Sequence, residues 1–168
     1  EIGVLDLKHS HAPEGMVTAG EELHTYRLAL ACTGEYAQYH GGTVAGALAA
    51  MNTSMNRING IYERELGVRM ELIADNDLLI FLDGSTDPYT NSNGSAMLGQ
   101  NQSTVSSIIG GANYDIGHVF STGGGGIAML GSVCDPSAKA SGVTGQFAPI
   151  GDPFDVDYVA HEIGHQFG

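Results

Sequence analysis

Near the end of the sequence two histidines stand four residues apart, with a glutamate directly after the first: His161-Glu162-Ile163-Gly164-His165. On a helix such a pair lies on one face, one turn apart, so both imidazoles can reach a single metal ion. Glu162 projects about 100° around the helix from His161, close enough to hydrogen-bond a water on that ion. The chemistry this arrangement serves is metal-assisted hydrolysis. Zinc acidifies a water, and the carboxylate takes its proton and delivers it to a leaving amine. In a chain of this composition the pattern is expected roughly 0.015 times by chance, so coincidence explains it poorly. The plainer readings are a surface helix with two solvated histidines, or a metal site without catalysis. A catalytic zinc site also needs a third protein ligand and an open position, which two histidines do not provide.

The elements that must hold this pair are bounded by composition. A chain of 168 residues, 42% apolar, allows one domain with a real core. Charged residues are only 15%, while 25 residues are Gly, so a disordered acidic chain is excluded. Six basic against 19 acidic residues give a net charge of −13, without a basic run. Nucleic acid and anionic membrane surfaces are therefore excluded as partners. No stretch approaches eighteen apolar residues, the length that crosses a bilayer. The N-terminus has no signal-peptide pattern and no initiating Met, and reads as an internal or processed start. Low Lys, abundant Gly, Asn, Ser and Thr, and the acidic balance fit a secreted protein.

Residues 1–24 carry His9, His11 and His24 without clear periodicity and read as a lead-in segment. Residues 25–33 alternate and then run apolar, as a buried strand does. Val44, Leu48, Met51, Met55, Ile58 and Tyr62 recur at helical steps, with Thr43 as N-cap and Gly67 as C-terminal stop. A second strand is expected over 68–73, continued by 78–82, then a turn-rich loop over 83–95. A second helix over 97–109 precedes strands at 115–121 and 127–133, with Gly123 to Gly126 between them. Residues 132–153 read as a Gly- and Pro-rich surface connection, and a last helix is expected over 155–168. Strands alternating with helices argue a mixed sheet with helical crossovers.

Several residues have a second reading. His118 lies in a predicted strand and could face the cleft, although a hydrogen-bonded strand histidine is the plainer reading. His9 and His11, at strand spacing, could hold a metal, although a mobile terminal segment accounts for them. Asp83, Asp87, Asn91 and Asn93 offer oxygens of the kind Ca2+ takes, but miss the calcium-loop motif, so turn chemistry has the better claim. The glycine run lacks the Gly-Lys-Ser/Thr ending of a phosphate loop. Cys32 reads as a free, buried thiol. A Cys32–Cys134 bond would require Cα atoms within about 7 Å.

His165-Gln166-Phe167-Gly168 extends the motif to His-Glu-x-x-His-x-x-Gly, whose full form closes on a third histidine three residues later. The chain resembles the metzincin zinc endopeptidases, within them the reprolysin (adamalysin-like) group, and there the bacterial secreted members. Residues 26–36 (YRLALACTGEY) look like that group's first strand. Residues 125–134 (GGIAMLGSVC) look like its edge strand, and 151–162 (GDPFDVDYVAHE) like the approach to its active-site helix.

The resemblance implies an α/β, zincin-like fold: a twisted five-stranded mixed sheet with an antiparallel edge strand and long helices. Residues 25–168 would form the N-terminal, upper subdomain of a catalytic domain whose C-terminal subdomain is absent. His161 and His165 would bind Zn2+, with Glu162 as general base, and the third ligand and a Met-containing turn would lie past Gly168. Ile127, Ala128, Met129, Leu130 and Gly131 of the edge strand would pair with an extended peptide substrate. Cys134 is similar to a family cysteine that bridges to a partner after the active-site helix. The implied function is a zinc endopeptidase acting on proteins or peptides, impaired in a chain of this extent. The alternatives are a non-catalytic binding module on the same fold, against which an intact Glu162 counts, and a His-Glu-x-x-His protease with a later Glu ligand.

Overall fold

A computed structural model describes residues 22–123 and 125–168. Its centre is set by a run with no polar side chain, Leu28 to Cys32, buried on both faces. This run ends strand β1 (His24–Cys32), which pairs in parallel with β2 (Val68–Leu72) on one side and β3 (Ile116–Ser121) on the other. β3 pairs in parallel with β5 (Gly142–Gly145), and β4 (Gly126–Ala128) closes the edge antiparallel to β5. The order is β2-β1-β3-β5-β4, a five-stranded mixed sheet with an antiparallel edge pair.

Alternation along β1 splits the core into two layers. Leu28, Leu30 and Cys32 pack with α1 (Gly34–Tyr39), α2 (Val44–Leu66) and, near the chain end, Phe154, Val159 and Ile163. Ala29 and Ala31 face the other layer, with Met97 and Val105 of α3 (Gly94–Ile108). α2 begins and ends where its sequence says it should. Thr43 Oγ1 accepts from the Gly46 N–H, and Gly67 closes the helix at φ 64°, the left-handed region that glycine enters freely.

Four segments depart from expectation. Residues 78–82 return to β1 through a single parallel bridge, Ile80 to Cys32, rather than as a full strand. A 3₁₀ turn, Asn76–Leu79, precedes it, because the buried Asn76 amide bonds both the N–H and the C=O of Leu30 and so takes a ladder position. Helix α1 was not anticipated, although Thr33 caps it. The stretch 132–153 is no surface connection: Ala138, Ala140, Val143 and Thr144 are buried, and β5 runs through it. Its glycines hide the strand. A methyl on Gly142 would overlap Gln166 and His118, and one on Gly145 would overlap the Gly123 carbonyl. The edge strand stops at Ala128 rather than 133, because the Gly131 and Val133 N–H groups turn to the carbonyls of His165 and Gln166.

The last helix is built in three parts: α4 (Asp152–Phe154), a π-helical turn (Asp155–Val159) and α5 (Ala160–Phe167). The wide turn is pinned from α2. Asp155 is 2% exposed and accepts from Ser54 Oγ at 2.6 Å and Arg57 at 2.9 Å, while the Tyr62 hydroxyl donates to the Ala160 carbonyl at 2.6 Å. Among the described residues no helix is long and apolar enough to cross a membrane. His9 and His11 lie outside the described residues.

Candidate metal centre

Helix α5 is anchored from within. Ile163 enters the core, and Gln166, fully buried, reaches across to β3 and β5. The Gln166 side-chain amide donates to the Gly117 carbonyl at 3.0 Å, which orients its Oε1 toward His118 Nδ1 at 2.8 Å. His118 therefore carries its proton on Nδ1, and its Nε2 accepts from the Thr144 hydroxyl at 2.8 Å. Burial pulls the His118 pKa down to about 4, keeping the ring neutral. His118 is thus the satisfied strand histidine, remote in role from a metal ligand.

With the helix so fixed, the opposite face carries His161 and His165. Their Nε2 atoms lie 3.0 Å apart, with rings nearly perpendicular at 83°. Two nitrogens at that spacing can both bond an ion standing about 2.0–2.1 Å from each. Beside them Glu162 is buried, only 5% of the residue being exposed. Burial raises its pKa above the ordinary carboxylate value, and the two neighbouring histidines partly offset this. Among the described residues no third His, Cys, Asp or Glu completes a metal-binding group. The donors present therefore fit zinc as two ligands of a larger set.

The edge strand forms the roof. Gly126, Ile127, Ala128 and Leu130 line a cleft of about 350 Å³ with Glu162 and His165. A side chain at position 126 would overlap both the Glu162 carboxylate and the Tyr158 ring, so only glycine lets strand and helix approach this closely. Of the five edge-strand residues expected to meet a peptide, Ile127, Ala128 and Leu130 border this cleft. The Met129 N–H is spent on the Ser141 carbonyl of the neighbouring chain segment, and the Gly131 N–H on His165.

The turn-rich loop uses its oxygens internally. Asp83 accepts from Ser85, Asp87 from the N–H groups of Gly34 and Tyr89, Asn91 from Thr33 and Thr122, and Asn93 caps α3. Calcium has no support there. Both cysteines are free thiols, Cys32 buried and Cys134 exposed. Sequence reasoning passed over Gln166, Tyr158 and Gly126. The one signal available was spacing, since Tyr158 precedes Glu162 by four residues.

A sheet with an antiparallel edge strand over a helix bearing His-Glu-x-x-His defines a zincin-like fold. The chain belongs to the reprolysin-like M12B metallopeptidase family, whose family model matches residues 23–168. A search of curated proteins returns no significant match.

Proposed function

We propose that the protein is a secreted zinc endopeptidase of metzincin type, in which Glu162 is the general base. The observation that carries this reading is the convergence of His161 and His165, with Nε2 atoms 3.0 Å apart, next to a buried carboxylate beneath an edge strand. His161 and His165 would hold the zinc, which when bound supplies a Lewis acid beside the scissile carbonyl. Glu162 accepts a proton from the attacking water and passes it to the departing amine nitrogen, so the carboxylate ends as it began. The strand at Ala128 presents backbone groups to an extended peptide and holds its carbonyl over the histidines.

The third ligand and the opposite wall of the cleft belong, in this reading, to residues following Gly168 in the parent protein. The 168-residue chain then binds zinc weakly and cleaves an unfolded protein poorly, whereas a polypeptide continuing past Gly168 does both well. Calorimetric zinc titration and peptide-bond cleavage on the two proteins test this. Submicromolar zinc binding by the shorter chain, or equal cleavage by both, would contradict it. Zinc binding without cleavage by the longer one would favour a binding module.

A further inference from the structure

The two backbone bonds flanking β4 define which of its groups face outward. Gly145 N–H bonds the Gly125 carbonyl and Met129 N–H bonds the Ser141 carbonyl, so the odd-numbered residues point to β5. Gly126 and Ala128 therefore turn their N–H and C=O groups to the open edge. Of the two outward N–H groups, that of Gly126 is already taken, because it donates to the Tyr158 hydroxyl. Tyr158 rises from the π-helical turn one turn before Glu162, and its ring packs where a Gly126 side chain would stand. Gly125, at φ 70°, lets the chain bend around the same hydroxyl. No hydrogen bond to the outward N–H of Ala128 is made by the described residues.

We propose that Tyr158 sets the register of bound peptide by occupying the Gly126 N–H, so that the backbone ladder offered to a substrate begins with the Ala128 N–H. This rests on the peptidase reading, in which the edge strand pairs with substrate. Tyr158 is a positioning residue: it closes one ladder position and ties the strand to the helix that carries Glu162. An open strand would let a peptide slip by two residues and still pair its backbone. With the Gly126 donor taken, that slipped register loses a bond.

The test uses the 168-residue chain, its Tyr158→Phe variant, and blocked alanine-rich peptides of two to eight residues as probes. Amide exchange and chemical shifts of Gly126 and Ala128 are followed by NMR. In the unsubstituted protein the Gly126 amide exchanges slowly without peptide, and peptide protects Ala128 while leaving Gly126 unchanged. In Tyr158→Phe the Gly126 amide exchanges about tenfold faster and becomes protected by peptide together with Ala128. Equal responses of Gly126 and Ala128 in the unsubstituted protein overturn the proposal and leave strand addition standing. An unchanged Gly126 exchange in a folded Tyr158→Phe protein also overturns it. No response of Ala128 to any peptide overturns both the register proposal and the peptidase reading's mode of binding. The arm on the unsubstituted protein decides the matter even if the variant does not fold.

Discussion

Glu162 is held under two opposed demands. The proposed role as base requires it to ionise, yet it is 5% exposed, packed beneath Gly126, with burial raising its pKa and His161 and His165 pulling it back. A raised pKa means that the folded state binds this proton more tightly than the unfolded chain does. Its contribution to stability is therefore present at low pH and lost as pH rises through the raised value. Glu162→Gln removes that loss. In the metal-free protein the variant should melt at the same or a higher temperature than the unsubstituted chain at pH 7, with the difference vanishing toward pH 4. In the longer polypeptide the same change should lower peptide hydrolysis about 10²–10⁴-fold while zinc stays bound. Melting curves across pH, with cleavage rate and metal content on the same samples, check both. A lower melting temperature at pH 7 would show that the carboxylate stabilises the fold.

Among the elements, the strand–helix contact through His118, Gln166 and Thr144 determines where α5 sits. Each polar atom in it is paired, and Gly142 is free of a side chain so that the helix can approach. The neutral ring is the one that fits. His118 has its pKa lowered to about 4, against about 6.5 unfolded. The unfolded chain therefore binds one more proton between those values, and stability falls as pH drops through this window. The loss should reach about 3 kcal/mol near pH 4. His118→Gln should be less stable at pH 7 and should lack this part of the slope. Urea midpoints at intervals between pH 7 and pH 4 measure it; parallel slopes in the two proteins would refute the assignment. The π-helical turn acts at the same scale. Asp155, gripped by Ser54 and Arg57, fixes the helix entry from α2, so His161 and His165 are oriented from both ends of their helix.

The whole molecule carries a net charge of −13 and a set of exposed apolar side chains, with Phe147 88% and Leu130 70% exposed. Like charge keeps copies apart, while exposed apolar surface favours their contact. Salt screens the first and leaves the second, since the Debye length falls from about 10 Å at 0.1 M to about 3 Å at 1 M. Self-association should therefore increase between 0.1 and 1 M sodium chloride, and Phe147→Ser with Leu130→Ser should suppress it without lowering the melting temperature. Sedimentation velocity at the two salt concentrations reads this out. Association that weakens with salt would instead mean charge-paired contacts.

The helix α2 with both its ends, the first two strand positions, and the His161, Glu162, His165 constellation were legible in the residues. In each case the information is local: a period, a cap or a motif within one turn. The helix bearing His-Glu-x-x-His could be placed in the family because the motif lies within little more than one turn. Strand β5 was not legible, and the edge strand was legible in its place but not in its length. Their residues are chosen by what lies across the gap, as Gly142 is by Gln166 and His118, and Gly126 by Tyr158 and Glu162. Glycine in a row reads as loop, and only a neighbour brought from twenty or more residues away reveals that its missing side chain is required. His118 was legible as a hydrogen-bonded strand histidine, and tertiary packing decided only which partners, Gln166 and Thr144, it bonds. Local sequence thus carried the reactive groups, while long-range packing decided how closely the strand and the helix meet around them.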